Sequence, residues 1–252
     1  MTTSFVSRIP RAYQVLSLTA VATFLVSLDV SIVVVAKRTI EADLGGGSLI
    51  TWVFSAYAIA YAAGLLTAGR FADVYGRKRS FLRGLFIFSV GSLLCGISPT
   101  TWVLILARII QAIGGAQLTP ASIALVLPEF PVEKRTQAIA IWGATGGLAA
   151  ALGPSVGGIL VDSLGWRSLF FINIPFTVVT ILLGRKILHE SKDPNAQRKV
   201  DYPSVVFGFV GIALVVLGIS QSEAWGWTDT KTLASIVLVL SWSHSSFNAA
   251  ES

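Results

Sequence analysis

Apolar and polar positions along this chain segregate into long blocks rather than alternating residue by residue. Seven predominantly apolar runs lie at residues 13–36, 50–69, 80–97, 102–127, 136–162, 168–188 and 204–220. Each is near the roughly 20 residues that a helix needs to cross a bilayer. Strict two-residue alternation, the mark of a membrane barrel strand, is absent from these runs. The pattern predicts an all-α membrane protein. An eighth run begins near Thr232, is apolar only from Leu233 to Trp242, then turns polar through Ser243, His244 and Asn248 up to Ser252. It is expected to be an incomplete span of a chain truncated or read out of frame within a helix, with a short last helix as the alternative. The first run, preceded by Arg8 and Arg11, contains Asp29. It is longer than the roughly 7–15-residue core of a signal peptide, so it reads as a retained span. The expected organisation is a cytoplasmic N-terminus at 1–12, a six-helix bundle at 13–188, a basic loop at 189–203, and a segment at 204–252 holding the seventh and incomplete eighth spans.

Composition supports the membrane reading and removes several others. Only 13% of the 252 residues are charged, 54% are hydrophobic, and the mean hydropathy is +0.73. Soluble domains carry about 25% charged residues. The net charge of +6 sits in short clusters between apolar runs, not on one face, which argues against a nucleic-acid partner. Cys95 is the single cysteine, and His189 and His244 lie near segment ends, so neither a disulfide nor a metal site is expected. No Ser/His/Asp set or Gly-rich phosphate loop suggests an enzyme, and no cofactor is implied.

The charges also orient the spans. With the N-terminus inside, the inner segments hold fourteen Lys and Arg residues, the outer loops hold four, and Arg108 lies within the fourth span. The positive-inside rule then predicts a multi-pass protein of the cell membrane with a cytoplasmic N-terminus. One motif recurs: Gly69, Asp73 and Gly76 close the second span, and Gly158, Asp162 and Gly165 close the fifth at the same offsets, followed by Arg77 and Arg167. Three spans separate the two copies, which therefore lie on opposite sides of the bilayer, as in an inverted repeat.

Candidate chemistry lies inside the spans. Counting from the outer ends places Asp29 and Arg108 both about 10 Å below the outer boundary, close enough in depth to pair or to line one polar cavity. Gln111 follows Arg108 by one helical turn. Ionisable residues within a bilayer are costly and mark ion or substrate pathways. The alternative is a purely structural pair. Desolvation and a neighbouring arginine pull the proton affinity of such a carboxylate in opposite directions, which suits a proton- or cation-responsive site. After the second span, the positive-inside rule accounts for Arg70, Arg77, Lys78, Arg79 and Arg83 but not for Gly69, Asp73 and Gly76; Asp73 among arginines suggests a charge-paired latch. In the fifth span, Gly143, Gly147, Ala150, Pro154 and Gly157 form one small-residue stripe, overlapped by Gly146, Ala150, Gly153 and Gly157. Either stripe permits close helix packing, and Pro154 predicts a kink.

Together these segments resemble the major facilitator superfamily. The run from Gly69 to Lys78 resembles its signature loop, with Phe71 where leucine is usual and Val74 where a basic residue is usual. Arg108, Gln111 and Gly114 resemble its fourth-helix motif, with Ala112 at a usual glycine. Gly153, Pro154, Gly157 and Gly158 resemble the antiporter motif of the fifth helix, which points to exporters. Trp166, Arg167 and the segment from Phe170 to Pro175 resemble the start of helix six in the drug:proton antiporter branch, and Leu28 to Val33 its first-helix motif. Val34 and Lys37-Arg38 depart from that motif. A seventh span directly after a basic loop is similar to the branch with fourteen helices.

The resemblance implies a six-helix N-terminal bundle of two inverted three-helix repeats, plus one or two extra transmembrane helices. It also implies proton-coupled export of hydrophobic or cationic compounds by alternating access. Asp29, Arg108 and Gln111 would couple protons to substrate, and Gly69, Arg70, Asp73, Gly76, Arg77 and Lys78 would form a cytoplasmic latch. The expected partners are the lipid bilayer, small-molecule substrates, protons, and either a missing C-terminal half or a second copy. An inert remnant, or a membrane protein that associates with other transporters, is the competing expectation.

Overall fold

A computed structural model describes residues 9–193, 202–226 and 228–235. A backbone in lipid has no water to satisfy its N–H and C=O groups, so apolar runs of this length close their hydrogen bonds internally as helices. The first run becomes α1 (Arg11–Val35), followed by a short amphipathic helix, α2 (Lys37–Leu44). Next come α3 (Ile50–Tyr75), α4 (Arg77–Gly96) and α5 (Thr101–Val126). The fifth span is α6 (Val132–Leu164), 33 residues long. The sixth is divided into α7 (Ser168–Phe171) and α8 (Asn173–Ile187), and the seventh is α9 (Tyr202–Trp225). Among the described residues, six helical segments are long and apolar enough to cross a membrane.

Two boundaries differ from the hydropathy pattern. The stretch after the second span, read as a loop, is helical: α3 continues past Gly69 to Tyr75, and Gly76 alone separates it from α4. Polar side chains mark where a helix leaves the apolar layer, not where it ends. The sixth span breaks at Ile172, because Pro175 has no N–H to give the Phe171 carbonyl. The eighth run is helical over 230–235, where Asp229 accepts from the Lys231 N–H at 2.8 Å as a cap. Its remainder, with His244, lies outside the described residues, as do Arg8, Arg198 and Lys199.

Helix α1 packs along α6, α5 is embedded between α3 and α4, and α9 lies against α3. Among the described residues the core divides into two large apolar clusters and a small third one of Tyr57, Ala60 and Ala112. One, toward the α3–α4 turn, gathers Leu18, Leu25, Phe81, Leu85, Phe88 and Leu118. The other, toward the opposite end, gathers Ile32, Val53, Cys95, Leu104, Leu169 and Phe170. Exposed apolar side chains such as Leu66, Phe86, Leu106, Phe176 and Leu182 cover the outside, a distribution suited to lipid and unsuited to water.

Candidate functional site

Between the two apolar clusters lies a layer of buried polar side chains drawn from four long helices and α8. Asp29 of α1 is fully buried, and Arg108 of α5 is 2% exposed. Arg108 Nη1 donates to Asp29 Oδ2 at 2.5 Å and to Gln111 Oε1 at 2.7 Å. Gln111 Nε2 donates to Asp29 Oδ1 and to Ser92 Oγ, both at 2.8 Å. Asn173, at the start of α8, donates through Nδ2 to Asp29 Oδ1 at 3.2 Å and to Ser92 Oγ at 2.9 Å. The two Asp29 oxygens thus accept three N–H donors, so neither is left without a partner.

The guanidinium is enclosed as carefully as the carboxylate. Its carbon lies 3.9 Å from the centre of the Tyr57 ring and 5.8 Å from that of Phe170, and Nε donates to the Val53 carbonyl at 3.5 Å. Aromatic faces stabilise a desolvated cation by about 2 kcal/mol or more. Glycines let the helices carrying these groups meet. A Cβ on Gly91 of α4 would sit 2.5 Å from the Gln111 Cα, and one on Gly114 of α5 would collide with the Phe88 backbone.

Of the residues singled out by sequence, Asp29, Arg108 and Gln111 are thus brought together. Ser92 and Asn173 complete the cluster; Asn173 lies in the Phe170–Pro175 segment noted for its resemblance, but neither residue was assigned to the site. Among the described residues, no three His, Cys, Asp or Glu side chains gather as a metal-binding group.

The α3–α4 turn is a second ordered locus. Asp73 Oδ1 accepts from Arg77 Nε at 3.1 Å and Nη2 at 3.0 Å, and Arg77 Nη1 reaches the Ala124 carbonyl of α5 at 3.5 Å. The segment after α8 folds across this turn. Glu190 accepts from the Lys78 and Arg79 backbone N–H groups at 3.1 and 3.2 Å, capping the positive N-terminus of α4. The Ser191 carbonyl accepts from the Arg77 N–H, the Asp193 backbone N–H donates to the Asp73 carbonyl, and Lys78 Nζ donates to the Arg185 carbonyl at 2.9 Å. Gly69 and the exposed Arg70 line an open groove of about 600 Å³ beside Asp73.

At the opposite end, Asp43 of α2 accepts from Arg167 Nη1 at 2.6 Å and from Trp166 Nε1 at 3.0 Å. The hydrogen bond from Arg167, aided by that from Trp166, holds the Asp43 carboxyl below its ordinary value.

Of the two small-residue stripes on α6, one packs. A Cβ on Gly153 would strike Ser31 of α1, one on Gly157 would lie 3.1–3.3 Å from Ile32, and one on Gly146 would lie 3.2 Å from the Ser27 hydroxyl. Gly143, Gly147 and Gly158 meet nothing within 4 Å, and Ala150 and Pro154 are exposed. The stripe through Gly143, Gly147 and Pro154 is therefore not the packed face.

The family model of the Major Facilitator Superfamily matches residues 19–248, and the chain belongs to this superfamily of membrane transporters. It is 33% identical over 224 residues to the tetracenomycin C resistance and export protein of Streptomyces glaucescens, covering 88% of this chain and 42% of that protein. It is 34% identical over 213 residues to multidrug resistance protein 3 of Bacillus subtilis, covering 84% and 41% respectively. The chain thus spans less than half the length of these relatives. Among solved structures, a peptide transporter, POT, in complex with sulfate matches with a TM-score of 0.63 at 18% identity, over 92% of this chain and 50% of that one.

Proposed function

We propose that this chain forms one six-helix bundle, with an added seventh span, of a proton-coupled secondary transporter. It exports hydrophobic or cationic small molecules by alternating access, with its N-terminus in the cytoplasm and its spans in the cell membrane. The observation that carries this reading is the buried Asp29–Arg108 pair, at 0% and 2% side-chain exposure. Removing one partner of a buried pair costs about 3–5 kcal/mol, whereas replacing both by apolar residues is often neutral or stabilising. Stability alone therefore gives no reason to place the pair there, and ionisable groups at such depth mark ion or substrate pathways. The names of the relatives, which specify drug resistance and export, support the same class of cargo.

In this reading Asp29, Arg108 and Gln111 couple protons to substrate. A proton on Asp29 removes the charge that holds Arg108, and a cationic substrate competes for the same carboxylate. Gly153 and Gly157 seat α6 on α1 two to three residues beyond Asp29, so a change at the carboxylate is passed to α6; Pro154 and Gly158 face away from that contact. Gly69, Arg70, Asp73, Gly76, Arg77 and Lys78 act as the cytoplasmic latch, a rigid turn presented toward a second bundle or a second copy of the chain.

The test is drug susceptibility in a pump-deficient host expressing the chain, beside Asp29→Asn. Resistance that disappears with Asp29→Asn is the result expected where two copies of the chain assemble around the site. No resistance from a protein confirmed in the membrane would overturn autonomous transport of the compounds tried and favour a non-transporting partner of other transporters.

A further inference from the structure

Two side-chain amides hold the Asp29 carboxylate, and they differ in their freedom. Gln111 is fixed at both ends: Nε2 donates to Asp29 and Ser92, while Oε1 accepts from Arg108, which can only donate. Asn173 is engaged at one end alone. Its Nδ2 donates to Asp29 and Ser92, whereas its Oδ1 is fully buried with no hydrogen-bond partner. Nearly all buried polar atoms are satisfied, so an orphaned carbonyl oxygen beside a titratable carboxylate calls for a reason. The present orientation of the amide is dictated by the ionised carboxylate, which accepts and cannot donate.

We propose that Asn173 is a two-state positioning residue of the proton site, donating to Asp29 when it is ionised and accepting from it when it is protonated. This rests on the reading of Asp29 as the proton-coupling group. Protonation places one hydrogen on a carboxylate oxygen, and that O–H then needs an acceptor. Arg108 offers none, and the Gln111 oxygen is taken by Arg108. A half-turn of the Asn173 amide brings Oδ1 to face both Asp29 and Ser92. The Ser92 hydroxyl, which accepts in the ionised state, can reverse and donate. The same two contacts are remade with their polarity inverted: the oxygen that was orphaned gains two donors, and Nδ2 turns to the buried place the oxygen leaves.

Of the three groups hydrogen-bonded to Asp29, Asn173 alone holds an unengaged acceptor; the Tyr57 hydroxyl is also buried without a partner, but it makes no hydrogen bond to the carboxylate. The charged or titratable side chains that bear on the carboxylate are Arg108 from α5, Tyr57 from α3 and Cys95 from α4. The adjoining stretches of α6, α7 and α8 carry no charged residue. Asn173 sits where the helix breaks ahead of Pro175, so its side chain turns into the core without opposing a continuous helical ladder.

The experiment is pH-difference infrared spectroscopy of the purified chain, unlabelled and with isotope-labelled asparagine, beside Asp29→Asn, Asn173→Leu and Asn173→Ser. Acidification is expected to produce a carboxyl C=O band that is absent in Asp29→Asn, together with a shifted band of the labelled asparagine amide. In Asn173→Leu the carboxyl band is expected to move to higher frequency as its O–H loses its acceptor. Asn173→Ser, whose hydroxyl donates or accepts, is expected to restore its position. An Asp29 band that appears with no change in any labelled asparagine band overturns the inference while leaving Asp29 as proton site. That readout needs no variant at position 173, so it stands even if Asn173→Leu does not fold. Absence of any Asp29-dependent band overturns this inference and the coupling reading together.

Discussion

The two turns that end α3 and α6 share a motif and little else. Gly76 and Gly165 each stop a helix at positive φ, 121° and 79°, and each donates its N–H to the carbonyl four residues back at 3.0 Å. Beyond that stop they diverge. At the first turn Asp73 pairs with Arg77 four residues on, and Glu190 packs against Gly76 while capping α4. At the second, Asp162 is exposed, and the following Arg167 pairs instead with Asp43 from α2, stacks on Trp166 and donates to the Ser98 carbonyl at 3.2 Å. The repeat therefore retains what backbone geometry demands, a glycine that can adopt a left-handed conformation. The charge pairing is chosen locally, by whichever segment crosses the turn. One end is tied by the segment after the six-helix bundle, the other by the helix that follows the first span.

This difference makes the two glycines unequal in a testable way. Alanine at either position carries the backbone penalty of a sparsely populated region, about 1–3 kcal/mol. Only at Gly76 does a new Cβ also meet a side chain, 2.5–2.9 Å from the Glu190 carboxylate, whereas Gly165 has nothing within 4 Å. Gly76→Ala is expected to lower the thermal midpoint of the purified protein more than Gly165→Ala. A Glu190→Ala background is expected to bring the two effects together. Equal effects in the wild-type background would show that Glu190 gives way freely and that the tie across the turn is slack.

A smaller effect concerns the second turn. The Asp43 carboxyl is held below its ordinary value by Arg167 and Trp166. Its contribution to stability is thus present above the unfolded carboxylate value, about 3.9, and is lost as pH falls through the lower folded value. The difference in thermal midpoint between wild type and Asp43→Asn is expected to be small, constant near neutral pH, and to vanish on acidification below that range. A difference that persists unchanged into strong acid would assign the role of Asp43 to something other than its charge.

How far these features could be read in the sequence depends on the kind of physics behind them. The spans were legible because burial in lipid demands long apolar runs. The shared depth of Asp29 and Arg108 followed from counting helical rise. Helix ends were less legible: hydropathy falls after Gly69 although α3 runs on to Tyr75, and the break at Ile172 is announced only by Pro175. The small-residue stripes on α6 overlap at the sequence level, and contact with Ser27, Ser31 and Ile32 alone distinguishes them. Ser92 and Asn173 escaped notice because an uncharged polar residue in an apolar run carries no signal of the direction it faces. For Asn173 there were two hints, its place in the Phe170–Pro175 motif and its position two residues ahead of a proline, where a transmembrane helix must open.

In the proposed cycle Asp29 exchanges a proton for a cationic substrate. The direct measurement is proton release from the purified chain when a lipophilic cation such as tetraphenylphosphonium is added, for wild type and Asp29→Asn, in weakly buffered solution first acidified until Asp29 carries its proton. Release by the wild-type protein and none by Asp29→Asn is expected. Cation binding without proton release, or equal release from both proteins, would contradict it.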